Sequence, residues 1–327
     1  MFRAISPKRL TSRLRDLYDS FRFLSKAERR RLYLGTAITT STVGTGAYLA
    51  IHSVYTEDIM KQLQMYRMKF GVPVEPPLYS LLQQSLTDMS VDTHSSVALF
   101  NFVGNEVYSV GSLLLPTGAY IGLPYNFSYT DPSQLKVEHI RLLGQYRTKR
   151  SVNAPVIKNL FKALILSDDA KKFAMAHQLN FLTSSYVFVK SANIFLCTLG
   201  SFLVAPVVNR RLGFSTAQKR LPRILCGILC FLTVTVFAGS IIDELLDEWY
   251  DLRALRRTLK IAPTANYQKG AVEYYSKLID RNKALYELLG DHASQYFTED
   301  GQTKRIFGLW RQSYETHLAI ATLNGAQ

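Results

Sequence analysis

The stretch ILCGILCFLTVTVFAGSII, residues 224–242, decides the fold of this chain, because it has neither a charged side chain nor a polar face. A second apolar run, Ser191–Val208, lies within a predicted span at 186–208, and the loop 209–223 between the two spans is basic and contains no acid. The hydrocarbon core of a bilayer is about 30 Å thick, and about 20 apolar helical residues cross it. The pattern therefore predicts a transmembrane hairpin. A buried helical pair in a soluble protein is the alternative, but a soluble helix of this length needs a polar face.

Residues 32–56 form a third predicted span, because they contain no Lys, Arg, Asp or Glu. Their Thr and Gly content weakens transfer into lipid but lets neighbouring helices approach closely. Residues 57–185 mix helical segments with short β-like runs and a turn at 116–118. One predicted helix, 56–70, begins at the last residue of the third span. Residues 243–327 are predicted to be helical. We therefore expect an α+β membrane protein with three transmembrane helices, a mixed extramembrane domain with a small sheet, and a helical C-terminal domain.

The charge distribution predicts where each domain lies. Residues 1–31 contain ten lysines and arginines against three acids, with apolar residues at helical spacing, which is typical of a mitochondrial targeting arm. Nucleic-acid binding is the alternative for such an arm, and we expect no nucleic-acid partner. Positive charge marks the side from which spans are inserted. With three spans, residues 1–31 and 209–223 share the matrix side, and residues 57–185 and 243–327 are expected in the intermembrane space.

The predicted spans contain two sets of residues that could have specific roles, namely small residues and cysteines. Candidates for close packing against a client helix are Gly200, Ser201, Gly227 and Gly239. All three cysteines also lie in the apolar runs, and Cys226 and Cys230 are four residues apart on one helix face. A thiolate pair could hold a soft ion such as Cu(I), but no His or Met completes a site nearby. We therefore expect neither a metal nor another cofactor.

Three blocks of the sequence carry a resemblance to a known family. They are LPTGAYIGLP (115–124), DDAKKFAMAHQLNFLTSS (168–185) and GAVEYYSKLIDRNKALYELLG (270–290). In this order they resemble the transmembrane protein 177 family. The resemblance implies a multi-pass protein of the mitochondrial inner membrane. It also implies three protein partners: newly made cytochrome c oxidase subunit 2, that subunit's inner-membrane chaperone, and copper-delivery proteins.

The order of elements is also similar, more distantly, to that of membrane-embedded zinc peptidases, which carry HExxH before a membrane hairpin and ExxxAD after it. The positions that match the metal site are His177, Gln178, Phe181, Asp247 and Asp251. Catalytic zinc needs three protein ligands, a bound water and a carboxylate base. Phe181 cannot bind zinc and Gln178 cannot accept a proton. This resemblance implies a degenerate zinc-peptidase-like fold with vestigial site positions and no catalytic residue.

The resemblance to the transmembrane protein 177 family implies a non-catalytic assembly factor in the lipid bilayer of the inner membrane, which supports the biogenesis and stabilisation of cytochrome c oxidase subunit 2. An active membrane zinc metallopeptidase is one alternative, and stoichiometric zinc that depends on His177 would favour it. A transporter component is the other, although the predicted spans contain few of the ionisable residues that mark a transport pathway. The remaining histidines, His317 among them, form no set with the spacing of a metal site.

Overall fold

The structure is a computed structural model. It describes residues 25–91, 96–131, 141–142, 145–146, 154–214, 220–261, 266–304 and 313–323. Most of the predicted targeting arm, residues 1–24, and part of the basic loop, residues 215–219, lie outside the described residues. The chain divides into two compact units: Met1–Ala47 with Ser191–Ser240, and Tyr48–Lys190 with Ile241–Gln327. We call them the span unit and the mixed unit.

The elements are numbered in chain order. The helices are α1 (Lys26–Ile51), α2 (Thr56–Leu63), α3 (Pro76–Asp88), α4 (Ala154–Leu164), α5 (Asp168–Leu182), α6 (Tyr186–Arg211), α7 (Arg220–Phe231), α8 (Gly239–Ile261), α9 (Tyr267–Leu289) and α10 (Tyr314–Leu323). The strands are β1 (Tyr66–Arg67), β2 (Phe70–Gly71), β3 (Val97–Phe102), β4 (Tyr108–Gly111), β5 (Ala119–Pro124), β6 (Arg141–Leu142) and β7 (Gln145–Tyr146). A π-helical segment, Leu232–Ala238, joins α7 to α8, and 3-10 turns lie at Tyr125–Ser128 and Gly290–Gln295.

Two helices among the described residues are long and apolar enough to cross a membrane, Tyr186–Arg211 and Leu221–Lys260. They correspond to the two halves of the predicted hairpin. Helix α1 does not reach the same hydropathy, because threonine and glycine replace large apolar side chains along much of its length. The third predicted span is therefore not confirmed by this criterion.

In the span unit, α6 packs against the chain that leads into α8 as an antiparallel pair. Asn193 Nδ2 donates a hydrogen bond to the Gly239 carbonyl at 3.1 Å, and Thr235 Oγ1 donates to the Cys197 carbonyl at 3.4 Å. Asn193 precedes Cys197 in the chain, whereas its partner Gly239 follows Thr235, the partner of Cys197. The two segments therefore run in opposite directions, as in a hairpin. Hydrogen bonds from side chains to carbonyls are a common way to hold helices together where water is absent.

Helix α1 packs on α6 in the same unit. Tyr33 Oη donates to the Phe202 carbonyl at 2.7 Å, and the two rings meet edge to face at 5.7 Å. Further along, Thr45 Oγ1 donates to the Ser191 carbonyl at 3.4 Å. The pairing order shows that α1 runs antiparallel to α6. At Gly44 the two helices are in contact, since a Cβ there would lie 3.6 Å from Ile194 Cγ2.

The mixed unit contains a three-stranded sheet in the order β3-β5-β4. β3 is parallel to β5, with Val97 opposite Ala119, and β4 is antiparallel to β5, with Gly111 opposite Ala119. The predicted turn at 116–118 lies in the β4–β5 connection, so that hairpin is confirmed. Gly118 has φ of 75°, and a Cβ there would lie 2.3 Å from the Ser96 carbonyl, which explains the need for glycine.

Helix α5 is the centre of the core of the mixed unit. Phe173, Met175 and Leu179 on this helix are fully buried, and α3 and α9 pack against it. The helix is capped by Ser167, whose Oγ accepts a hydrogen bond from Ala170 N at 3.2 Å. At Gly270 the crossing helix comes so close that a Cβ would lie 2.3 Å from the Asp169 carbonyl.

The helix predicted over residues 56–70 is wrong beyond Leu63. The backbone leaves the helix at Gln64, and Met65 N donates to the Asn101 carbonyl of β3 at 2.7 Å. The chain then forms the short β1–β2 hairpin, whose turn residues Met68 and Lys69 both have positive φ. Hydrogen bonding to the sheet replaces the helical bonds that the sequence pattern favours.

Candidate functional site

A carboxylate lies between two imidazoles in the mixed unit. Asp251, on α8, has Oδ1 at 3.4 Å from His177 Nε2 and Oδ2 at 3.2 Å from His317 Nε2. His177 lies on α5 and His317 on α10, so three helices meet at this carboxylate. His177 Nε2 is also 3.2 Å from the backbone carbonyl of Asp251. We call these three residues the His–Asp–His cluster.

Aromatic rings enclose the His–Asp–His cluster. The Phe173 ring stacks on His177 with centroids 5.9 Å apart, and the Tyr275 ring stacks on His317 at 5.0 Å. Both histidines are buried, with 5% of His177 and 2% of His317 exposed. Burial, and then the negative charge of Asp251, raise the pKa of the Tyr275 phenol well above its ordinary value. The tyrosine therefore stays neutral.

The two positions that would complete a zinc peptidase site hold other chemistry. Gln178 Oε1 accepts a hydrogen bond from Ser109 Oγ of β4 at 2.9 Å. The Phe181 ring packs against the Tyr186 ring with centroids 4.4 Å apart. Gln178 therefore ties α5 to the sheet, and Phe181 serves as an apolar contact. Neither side chain can coordinate zinc or accept a proton from a bound water.

Asp247 is part of a separate ionic contact in the mixed unit. Lys190 Nζ lies 2.7 Å from Asp247 Oδ1, and Tyr186 Oη donates to the same oxygen at 2.5 Å. The Lys190 ammonium also lies over the Tyr186 ring, 4.8 Å from its centroid. The spans next to Lys190 contain no acid, and the structure pairs this lysine with Asp247, which lies just beyond the apolar run.

The His–Asp–His cluster does not fit the zinc of the peptidase families. In the part of the chain that the structure describes, no group of three or more His, Cys, Asp and Glu side chains has the geometry to hold a metal ion. The two imidazoles face different oxygens of one carboxylate, at 3.4 and 3.2 Å, so the cluster brings side chains of three helices to one polar contact. Its evident chemistry is to fix α5, α8 and α10 together.

The four small residues in the spans have different surroundings. A Cβ on Gly239 would lie 3.7 Å from Cys197 Sγ, and one on Gly200 would lie 3.9 Å from Val234 Cγ1. Ser201 is buried and donates to the Thr198 carbonyl at 2.6 Å. These three residues serve contacts within the span unit. Around Gly227, by contrast, no other described atom lies within 4 Å of the Cβ position, so this face remains open.

Sequence reasoning identifies His177 and Asp251 as related positions, and the structure brings them together. It misses His317, which is 140 residues from His177 and belongs to no motif. The sequence around His317 gives little indication of this contact. His317 lies one helical turn from apolar neighbours on α10, and that pattern alone predicts only that the residue is buried.

Relatives with a common name match most of the chain. The protein named Transmembrane protein 177 in Xenopus laevis is 26% identical over 286 residues, which cover 86% of this chain and 88% of the relative. Those of Danio rerio and Mus musculus are 27% and 26% identical and cover 68% and 78% of this chain, or 71% and 80% of their own lengths. No family model matches the chain, and no solved structure matches it either. Together with the two apolar helices, the relatives support a membrane location.

Proposed function

From the similarity to Transmembrane protein 177, we propose that this protein is a non-catalytic assembly factor of the mitochondrial inner membrane. It holds newly made cytochrome c oxidase subunit 2 and works with that subunit's membrane chaperone and copper-delivery proteins. The client and the organelle come from the sequence resemblance and from the basic arm of residues 1–31. The spans pack laterally against the hydrophobic helices of the client, and the mixed unit contacts its extramembrane part.

The observation that carries the non-catalytic assignment is the state of the vestigial positions. Gln178 bonds to Ser109, Phe181 packs on Tyr186, and Asp247 pairs with Lys190. Each side chain that would serve zinc hydrolysis is engaged in a contact that joins two elements of the protein. Such positions support a scaffold rather than a reactive centre, since a fold by itself carries no activity.

The proposed topology has three spans. Helix α1 has no acidic or basic residue after Arg31 and runs antiparallel to α6 from Tyr33 to Thr45, a distance of about 18 Å along its axis. Apolar side chains of this helix, Ile38 and Val43 among them, are exposed. Exposed apolar side chains along a helix are favourable in lipid and unfavourable in water. We therefore place both extramembrane parts, residues 57–185 and 243–327, in the intermembrane space.

The test of the function is a crosslinked purification from mitochondria of the wild-type protein and two variants. We expect recovery of cytochrome c oxidase subunit 2 and its chaperone with the wild type. Gly227→Leu should reduce that recovery at unchanged protein abundance, because this glycine faces open space and a client helix would approach it. Gly239→Leu is the matched control, because its position is filled by Cys197 and the change should lower abundance instead.

Two outcomes would contradict the proposal. Enrichment of unrelated carriers without any oxidase assembly protein would remove the assigned client. Full recovery with Gly227→Leu, together with loss on substitution of the His–Asp–His cluster at equal abundance, would move the working part from the spans to that cluster.

A zinc peptidase is the second candidate, because two histidines and an aspartate meet at one place. It would require zinc in stoichiometric amount in the purified protein, and the loss of that zinc in His177→Ala. We expect neither, because Gln178 and Phe181 leave the reaction without a base and without the second HExxH ligand.

A further inference from the structure

The exposed face of α8 carries an aromatic and basic patch in the mixed unit. Its residues, which line a groove of about 470 Å³, are Trp249, Leu252, Arg253, Arg256, Arg257 and Lys260. They follow the i, i+3, i+4, i+7 pattern, which places them on one helix face. Trp249 is 51% exposed, an unusual state for a residue with so large an apolar side chain. We call this set the Trp249 patch.

The opposite face of the same helix is the one that the fold uses. Tyr250, Ala254, Leu255 and Thr258 are all buried. That face therefore packs the helix against the fold, whereas the cationic side chains of the Trp249 patch are exposed. The Trp249 ring itself meets the ring of the buried Tyr250 edge to face, with centroids 4.7 Å apart. A tryptophan next to arginines is the composition that binding interfaces concentrate at their energetic centres.

The positive charge of the Trp249 patch is not neutralised within the described part of the chain. The Arg253 guanidinium lies over the Trp249 ring, 5.1 Å from its centroid. Among the described residues, no carboxylate forms an ion pair with Arg256, Arg257 or Lys260. The groove lining contains four cationic residues and no acid. An occupant that complements it must be negatively charged along its length and apolar at one end.

We propose that the Trp249 patch binds an acidic helical segment of a protein partner. The cationic side chains recur at each turn of α8, about every 5.4 Å, and glutamates or aspartates three or four residues apart on a second helix have the same repeat. One large apolar residue of the segment covers the Trp249 indole and Leu252. The cationic side chains attract the segment and set its position along α8. The Trp249 indole forms the apolar contact from which water is excluded.

A protein segment fits the patch better than anionic lipid does. The apolar run ends at Ile242, and at 1.5 Å per residue Arg253 and Lys260 lie about 16 and 27 Å further along the helix axis. The headgroup layer on one side of a bilayer is only about 5–8 Å thick. Phosphates in this headgroup layer therefore lie closer to Trp249 than to the cationic side chains from Arg253 to Lys260. The inference does not depend on which protein the client is, so it goes beyond the proposed function.

The test uses the full-length protein in detergent and a synthetic acidic peptide. The peptide is a helix of about 15 residues with glutamates at i, i+4, i+7 and i+11 and one terminal leucine. In a Trp310→Phe background, Trp249 is the only indole of the chain, so its fluorescence reports occupation of the patch. We expect the peptide to shift that emission and its affinity to fall as salt screens the charges.

Matched variants separate a specific site from general attraction to a basic protein. Arg256→Glu with Arg257→Glu should weaken peptide binding about ten-fold or more, because two attractive contacts become repulsive. Lys158→Glu with Lys162→Glu makes the same change of net charge on exposed residues of α4 and should leave the affinity unchanged. Replacing the peptide's leucine by serine should also weaken binding.

Three results would overturn the inference. Equal loss in both charge-reversal pairs would show attraction to net charge alone. Binding without any change in Trp249 emission would place the peptide elsewhere. Tight binding to phosphatidylcholine vesicles containing cardiolipin, lost in Arg256→Glu with Arg257→Glu while the peptide fails to bind, would assign the patch to lipid. None of these results bears on recovery of the oxidase subunit, so the two proposals fail separately.

Discussion

The Asp251 carboxylate joins elements that are far apart in sequence. It faces imidazoles from α5 and α10, and both are almost completely buried. A buried polar group that loses its partner costs the full penalty of its desolvation. Removal of Asp251 should therefore destabilise the fold mainly because two buried imidazoles lose their partner, and less because a net attraction is lost.

Asp251→Ala should lower the free energy of unfolding of the mixed unit by about 2 kcal/mol, because both imidazoles would remain buried without their carboxylate. The measurement is thermal or urea unfolding in detergent, followed by tyrosine fluorescence. Asp280→Ala is the control, since this exposed aspartate on α9 should change stability by less than about 0.5 kcal/mol. Equal losses in the two variants would show that the cluster has no special role.

Asp88 gives the stability of the mixed unit a dependence on acid pH. Burial raises the pKa of this carboxyl, but hydrogen bonds from Lys172 Nζ at 2.6 Å and Tyr267 Oη at 2.8 Å outweigh it, and the pKa is lower in the folded protein. A lowered folded pKa adds stability that is complete above the unfolded pKa, about 3.9, and disappears as the pH falls through the folded value.

We therefore expect the urea midpoint to fall on acidification below about pH 4 more steeply in the wild type than in Asp88→Asn. The effect should be modest, since a quarter or so of the Asp88 side chain is exposed (28%) and solvent screens the ion pair. Measurements at several pH values decide the matter, and parallel profiles for the two proteins would contradict it.

At the scale of elements, one ion pair ties α6 to α8 at the end of the apolar runs. The Lys190 side chain is 11% exposed and the Asp247 side chain 33%. Removal of one partner of a buried pair is far more costly than removal of both, because the remaining charge has no compensation. The pair also specifies which turn of α6 faces which turn of α8.

Asp247→Leu should destabilise the protein by up to about 3 kcal/mol, whereas Asp247→Leu with Lys190→Met should recover most of that loss. The partial exposure of Asp247 keeps the figure at the low end of the range for buried pairs. Thermal denaturation of the two variants in detergent checks this. If the double variant is as unstable as the single one, the contact acts through packing and not through charge.

At the scale of the whole molecule, the number of spans decides the side on which each extramembrane part lies. Both basic segments next to the spans share one side only if the number of spans is odd. Two helices meet the length and hydropathy of a span, and α1 is packed antiparallel to one of them. The location of the C-terminal part therefore depends on α1.

Protease added to mitochondria with ruptured outer membranes should digest residues 57–185 and 243–327, while the loop 209–223 stays protected. Epitope tags at the C-terminus and in the loop report the two outcomes in one experiment. Protection of the C-terminal tag would mean that residues 32–56 do not cross the membrane. Digestion of the loop would reverse the orientation of the hairpin.

The sequence alone predicts the two long apolar helices, the turn between β4 and β5, and the inability of Phe181 to bind zinc and of Gln178 to act as a base. These features depend on local composition, turn chemistry or residue identity, all of which can be read along the chain. Three features became visible only in the three-dimensional structure: the helix that begins at Thr56 ends at Leu63, His317 joins His177 and Asp251, and Gly227 alone among the four small residues faces open space. Those outcomes depend on which distant segments compete for the same hydrogen bonds and the same volume, and side-chain contacts between residues far apart in sequence leave no local pattern.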